Sequence, residues 1–365
     1  MSEKNILKHL ERLVAFDSQN PPRAFDQTDE LITYPASVLE AAGFQVSVAD
    51  FGDGHINIYA KRGQPAVLFN CHLDTVPIGE CWTHPPLALT LKDGRAYGRG
   101  VCDIKGAAAA LLALAQTTTA DMAVLLSTDE EGAGSCCVRE FLQAMPDRFE
   151  QVVVCEPTLC QAIVGHRGFL SVKGTIQGQA GHSSEFRGLE DNANHRLARW
   201  LSAALTYTQA LADANQHTCF NVGLVSGGTK SNVIAGEARL HYSARLGPGQ
   251  SNEALFETLK NIGGAHEWAE WTIPFSGSPL PAAGQDDQAV RDFCDKLCQV
   301  TDVSVGEPVG FWTEAALFSQ AGLPALVLGP GDIAQAHTAD EWVAVAQLER
   351  AFDVYRAMIE KVGAR

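Results

Sequence analysis

The sequence is read as α/β, a mixed, largely parallel sheet flanked by helices, with an α+β unit inserted into it. Three observations predict this. Short apolar runs, "AVLFN" (66–70), "MAVLLS" (122–127) and "QVVVC" (151–155), alternate with helical patterns, as buried strands and crossover helices do. From about residue 167 the pattern changes to period two, in "FLSVKGTIQGQAG" and "GEARLHYSARLGPG", as in half-exposed strands. Near residue 280 a Pro/Gly-rich stretch, "SGSPLPAAGQDD", returns the chain to helix and strand alternation. The expected division is 1–167 with 280–365 for the first unit and 168–279 for the insertion. A length of 365 residues exceeds one ordinary core and fits two.

In order, Ile6, Leu7, Leu10, Leu13 and Val14 recur at helical spacing and predict an amphipathic helix over 3–16. A second helix is expected over 30–42, stopped by Gly43, with strands over 44–49, 55–61 and 66–70. "GAAAALLALAQ" from Gly106 is a strong helix, and "CCVREFLQAM" is another. A long helical pattern covers 192–214 in the insertion, and "VRDFCDKLCQV" places Cys294 and Cys298 on one helix face.

Charge and cysteine content narrow the function classes. A formal charge of -16 argues against nucleic acid or an anionic membrane as partner, since both are polyanions. No apolar run reaches the length of a membrane span, and "MSEKNILKHLERLVAF" mixes charge with apolar residues, unlike a signal peptide. The chain is therefore expected to be cytoplasmic. Its ten cysteines read as reduced core residues, because a disulfide framework belongs to small secreted chains and no CxxC pair offers a structural zinc site.

The chemistry gathers at strand ends. "FNCHLDTVP" puts His72 and Asp74 at the end of an apolar strand, on one side if the backbone is extended. Asp103 in "GRGVCDIKG", Asp129, Glu130 and Glu131 in "STDEEG", Glu156 in "VCEPT" and His337 in "GPGDIAQAHTADEW" follow at other predicted strand ends or loops. Taken alone, Asp103 reads equally well as a helix cap, and Glu130 with Glu131 as a solvated pair in a helix's first turn. Together they put several carboxylates and two imidazoles at one sheet edge, where carboxylates repel and a cation relieves them. His with carboxylate suits zinc or a similar ion better than calcium or magnesium. This many donors would serve two ions sharing one carboxylate, with one carboxylate spare as a base. A Cys71-His72 nucleophilic pair is disfavoured, because adjacent strand residues face opposite sides.

The motifs "HLDTVP", "GRGVCDIKG", "TDEEG", "CEPT" and "GHSS" resemble the dizinc family of acetylornithine deacetylase, succinyl-diaminopimelate desuccinylase and aminoacylase-1, in order and over nearly the whole chain. The resemblance implies two divalent ions, zinc with cobalt able to substitute. His72 and Glu156 would hold one, Glu131 and His337 the other, and Asp103 both. Asp74 would steady the His72 imidazole, and Glu130 would be the general base. The inserted unit would be a lid and dimerisation domain of a homodimer, its His182 steadying the oxyanion in the partner subunit's site. Asn232 and Arg245 would contact the substrate carboxylate, although Ser243 stands where the family usually has Asp. Glu314, in "TEA", would face the substrate or simply pack beside the hinge. The bond after Asp103 would be cis. The "TEA" and "GPG...QAH..DE" runs look most like the acetylornithine and N-acetylcitrulline deacetylase branch, implying hydrolysis of an N-acetyl amino acid in arginine biosynthesis. A dipeptidase or carboxypeptidase would use the same groups, and a silent binding protein would be expected to lack one.

Overall fold

The computed structural model describes residues 2–22, 24–132, 135–145, 147–214 and 218–363. Along the chain run α1 (Ser2–Ala15), α2 (Glu30–Ala41), β1 (Gln45–Asp50), β2 (Ile56–Arg62), β3 (Val67–His72), β4 (Thr90–Lys92), β5 (Arg95–Tyr97), α3 (Lys105–Thr117), β6 (Met122–Ser127), α4 (Cys136–Ala144) and β7 (Gln151–Val154). Then come β8 (Gly168–Gln177), β9 (Gly181–His182), α5 (Gly188–Asp191), α6 (Ala193–Asp213), β10 (Cys219–Gly227), β11 (Val233–Ile234), β12 (Glu237–Leu246), α7 (Asn252–Asn261) and β13 (Ala269–Gly277). The chain closes with α8 (Gln288–Val300), α9 (Ala315–Gln320), β14 (Ala325–Val327), β15 (Trp342–Ala344) and α10 (Val345–Ala357).

The apolar runs build a six-stranded sheet in the order β1-β2-β6-β3-β7-β14. β6, β3, β7 and β14 are parallel neighbours, while β2 joins β6 and β1 joins β2 antiparallel. β3 lies between two parallel partners and is buried at every residue, which is why it reads as a continuous apolar run rather than an alternating one. α3 carries Ala and Leu on all sides and is buried from Lys105 to Ala115. α1 and α10 pack against it, so Leu10, Leu13, Leu111, Phe352 and Tyr355 share one core with Phe69 of β3.

The chain divides into two compact units, one of residues 1–164, 286–308 and 313–365, the other of 165–285 and 309–312. The second begins earlier and ends later than expected. His166 pairs with Leu280 and with Val309, and Trp312 packs edge-on against Phe275 at 5.2 Å, which draws these linker residues into it. Its four-stranded sheet runs antiparallel in the order β10-β12-β8-β13. Trp200 of α6 fills their covered face, beside Tyr242 and Trp271, and donates to the Leu259 carbonyl at 2.8 Å. β10 is the sheet's edge and leaves Leu224 and Val225 exposed. Among the described residues no helix is long and apolar enough to cross a membrane.

Candidate metal centre

The first unit brings its acidic turns to the C-terminal ends of parallel strands, where such sheets carry their sites. His72 is the last residue of β3, paired with Ser127 at the end of β6. The turn holding Asp129, Glu130 and Glu131 leaves β6, and Glu156 follows β7 by two residues. Asp103 lies just ahead of α3, with the Asp103–Ile104 bond cis, as the resemblance implies. Ile104 rather than Asp103 precedes the helix, without a side-chain cap, so capping does not account for Asp103. The turn at Glu130 and Glu131 lies ahead of Cys136, where α4 begins, so these residues are not in a helix's first turn.

Two donor sets share one carboxylate. His72, Asp103 and Glu156 place ligand atoms within 4.8 Å of one another, and so do Asp103, Glu131 and His337. Asp103 Oδ1 lies 3.1 Å from His72 Nε2, and its Oδ2 lies 3.2 Å from His337 Nε2. Glu156 Oε1 lies 3.4 Å from His72 Nε2, and Glu131 Oε1 lies 3.0 Å from His337 Nε2. Among the described residues, no Lys or Arg pairs with these carboxylates. Among the described residues, the partners that face these carboxylates are the two imidazoles, and a divalent ion would supply the charge that neutral imidazoles lack. The donors therefore fit two ions joined by Asp103.

The protonation of these side chains follows the same charges. Burial would raise the Asp103 carboxyl, but bonds from His337 and His72 hold it well below the usual range. Burial pushes Glu156 up to about 7 and raises Glu131. His337 is pushed up to about 10 by its bonds to Asp103 and Glu131. Burial opposes charge on His72, but Asp103, Asp74 and Glu156 outweigh it and raise that imidazole. Glu130 ligates neither three-residue set around Asp103, though it lies within 4.8 Å of His72 and Glu131, and burial lifts its carboxyl well above the usual range.

Asp74 acts in two directions. His72 Nδ1 lies 2.9 Å from the Asp74 main-chain oxygen and 3.5 Å from its carboxylate, which fixes the ring so that Nε2 faces Asp103. The carboxylate accepts mainly from the Glu130 and Glu131 amides, at 3.3 and 3.0 Å, and from Asn20 at 3.1 Å. The next residue is Gly132, where a side chain would collide with Asn20.

Glu341 is the group that sequence reasoning missed. It is buried and accepts from Arg99 Nη1, Gly100 N and Cys102 N at 2.8 Å and from Asp103 N at 3.0 Å, so it holds the loop that presents Asp103. Nothing in "HTADEW" distinguishes it from its neighbour Asp340. Glu314 lies in the first unit, 1% exposed, and its Oε1 has no hydrogen-bond partner among the described residues. Burial pushes its carboxyl up to about 8.

The other expected residues lie in the second unit. His182 is exposed, its Nδ1 2.8 Å from Ser184 Oγ, and it pairs with Val233, so Asn232 stands beside it, accepting from Ser183 N at 3.2 Å. Arg245 lies near the other end of β12, opposite Cys219 and Phe169, with its guanidinium 4.0 Å from the Phe169 ring centre. The eight strand steps from Glu237 to Arg245 span about 26 Å, so Arg245 and the His182 loop cannot touch the same small molecule within one chain. Ser243 pairs with Ser171 and Asn221 and brings no carboxylate to Arg245.

Comparison with known proteins gives a concordant result. Residues 68–361 match the model of peptidase family M20/M25/M40. The chain is 43% identical over 356 residues to an N-acetyl-L-citrulline deacetylase of Xanthomonas campestris pv. campestris, covering 95% of each chain. It is 31% identical over 383 residues to an acetylornithine deacetylase of Vibrio campbellii, covering 99% of each. Its fold matches that of a dinuclear metal-binding peptidase from Bacillus subtilis with a TM-score of 0.67 at 14% identity, over 97% of this chain and 96% of that one.

Proposed function

The chain belongs to peptidase family M20/M25/M40, and from that premise we propose that it hydrolyses the acetyl amide of an N-acetyl-L-amino acid, N-acetyl-L-citrulline before N-acetyl-L-ornithine, in arginine biosynthesis. One observation carries the reading: two histidine–carboxylate sets share Asp103, with the Glu130 carboxylate beside them and outside both, in a chain 43% identical to an N-acetyl-L-citrulline deacetylase. His72 and Glu156 would hold one zinc ion, Glu131 and His337 the other, and Asp103 both, with cobalt able to replace zinc. When bound, the ions polarise the amide carbonyl and bring the attacking water's pKa down to about 7.

The protein's own groups do the rest. Glu130 takes a proton as the water oxygen bonds to the acetyl carbon, then gives it to the amide nitrogen as the C–N bond breaks. Acetate and the free amino acid leave. Asp74 keeps Glu130 placed through the main-chain amides that it accepts. Arg245 is assigned to the substrate carboxylate and Glu314 to a polar group of the substrate.

His182 and Asn232 are assigned to the partner subunit's site in a homodimer. The distance of about 26 Å along β12 supports this, because a small substrate held by Arg245 is out of reach of the same chain's His182. The exposed edge of β10, with Leu224 and Val225, offers a surface for two-fold pairing. Ten free cysteines suit the cytoplasm.

The test compares turnover of N-acetyl-L-citrulline, N-acetyl-L-ornithine and a simple dipeptide by the purified zinc-loaded protein. N-acetyl-L-citrulline should have the highest kcat/KM. Preference for the dipeptide would overturn the deacetylase reading and leave a peptidase of the same family.

A further inference from the structure

One more convergence of donors lies outside the sets joined by Asp103. His55, Asp129 and Cys137 place a nitrogen, an oxygen and a sulfur within 4.8 Å of one another. They come from the residue before β2, the turn after β6 and the start of α4. His55 Nδ1 lies 2.9 Å from Asp129 Oδ2, and the same oxygen accepts from the Cys137 main-chain N at 3.0 Å. The other oxygen, Oδ1, is buried without a hydrogen-bond partner among the described residues, in a side chain 1% exposed. A buried carboxylate oxygen left without a partner is costly, and a cation beside it would relieve that cost. Among the described residues no Lys or Arg pairs with Asp129, and its charge helps to raise the nearby Glu314 carboxyl.

We propose that His55, Asp129 and Cys137 form a third divalent-cation site, of the zinc class, separate from the pair at Asp103. Imidazole, carboxylate and thiolate together select zinc or cobalt, while the sulfur disfavours calcium and magnesium. Three protein donors leave a fourth position for water, reached past the half-exposed His55. On binding, the sulfur–metal bond forms as the Cys137 thiol releases its proton to solvent, and no electron is transferred. Without metal, burial and the charge of Asp129 keep that thiol far above its ordinary range, so the ion itself draws out the thiolate. The bound ion would tie the start of β2 and α4 to the turn that carries Glu130 and Glu131.

The test strips the full chain of metal and titrates it with Co2+ alone. Three equivalents should bind, one of them with a near-ultraviolet thiolate-to-cobalt charge-transfer absorption. The nitrogen and oxygen donors around Asp103 cannot produce that band. Cys137→Ser should remove the band and one equivalent and leave two. His55→Ala, at a half-exposed position outside the core, should weaken the third equivalent by at least about tenfold. Binding that stops at two equivalents without the band overturns the proposal. So does a band that survives Cys137→Ser, which would place the cobalt on another cysteine.

Discussion

At the scale of single residues, Glu130 and Glu131 are neighbours with different surroundings. Glu131 Oε1 meets His337 Nε2, whereas no hydrogen bond engages the Glu130 side chain among the described residues. Glu130→Ala is therefore expected to keep the two metal equivalents at Asp103 and to lose at least about a hundredfold in kcat. Metal analysis of the purified variant decides, since loss of one equivalent would make Glu130 a ligand. Glu314 gives a pH signature in the metal-free protein. Its carboxyl titrates near 4.5 in an unfolded chain and near 8 in the fold, so between those values the folded state holds a proton that the unfolded state has lost. Stability should fall as pH rises through that window, and Glu314→Gln should flatten the fall. Urea unfolding at about pH 5 and about pH 8 measures it, and identical slopes for the two proteins would sink the claim. The gathering of imidazole and carboxylate donors was legible because His and acidic residues stand at strand ends. The split of Asp74 between one imidazole and two main-chain amides was not, because it depends on how two separate turns meet.

At the scale of elements, the loop before α3 depends on a carboxylate that arrives more than two hundred residues later in the chain. Arg99 and Glu341 form a buried pair at 2.8 Å, and Glu341 also accepts three main-chain amides. Glu341→Ala should destabilise the protein by about 3–5 kcal/mol, because it leaves a buried guanidinium unpaired. Adding Arg99→Ala should recover part of that loss, so the double variant is less damaged than the sum of the two. Urea midpoints are the measurement, and strict additivity would show that the pair is not coupled. The strands of the main sheet were legible because both of their faces are buried. β10 was not among the expected strands, since most of its residues are exposed and its burial alternates only over Cys219–Gly223. The three-stranded β15-β5-β4 sheet escaped for another reason, as three-residue strands are too short for any period to show.

At the scale of the whole molecule, the question is which chain supplies His182. If it serves the partner subunit, mixing inactive His182→Ala with inactive Glu130→Ala protein should restore activity, because one site of each mixed dimer has both groups. With free exchange about half the dimers are mixed, so recovery should reach roughly a quarter of wild type. Absence of recovery after verified exchange would put His182 in its own chain's site or outside catalysis. The inserted unit was legible as a change from runs to alternation. Its borders were not, because the linkers at His166 and Leu280 pair with each other, and no local pattern announces a pairing across more than a hundred residues.

Asp103 offers one oxygen to each imidazole, and this makes the two donor sets thermodynamically inseparable. A carboxylate that already neutralises one cation has less to give a second, and the second also meets the first one's charge. Filling should therefore be stepwise, with the penalty that the first ion imposes on the second equal to the penalty in the reverse order. Calorimetric zinc titration of metal-free His337→Ala should show at the remaining Asp103 set a step tighter than the weaker of the two wild-type steps there, since Asp103 is no longer divided. Two identical, independent wild-type steps would mean that the shared carboxylate carries no coupling.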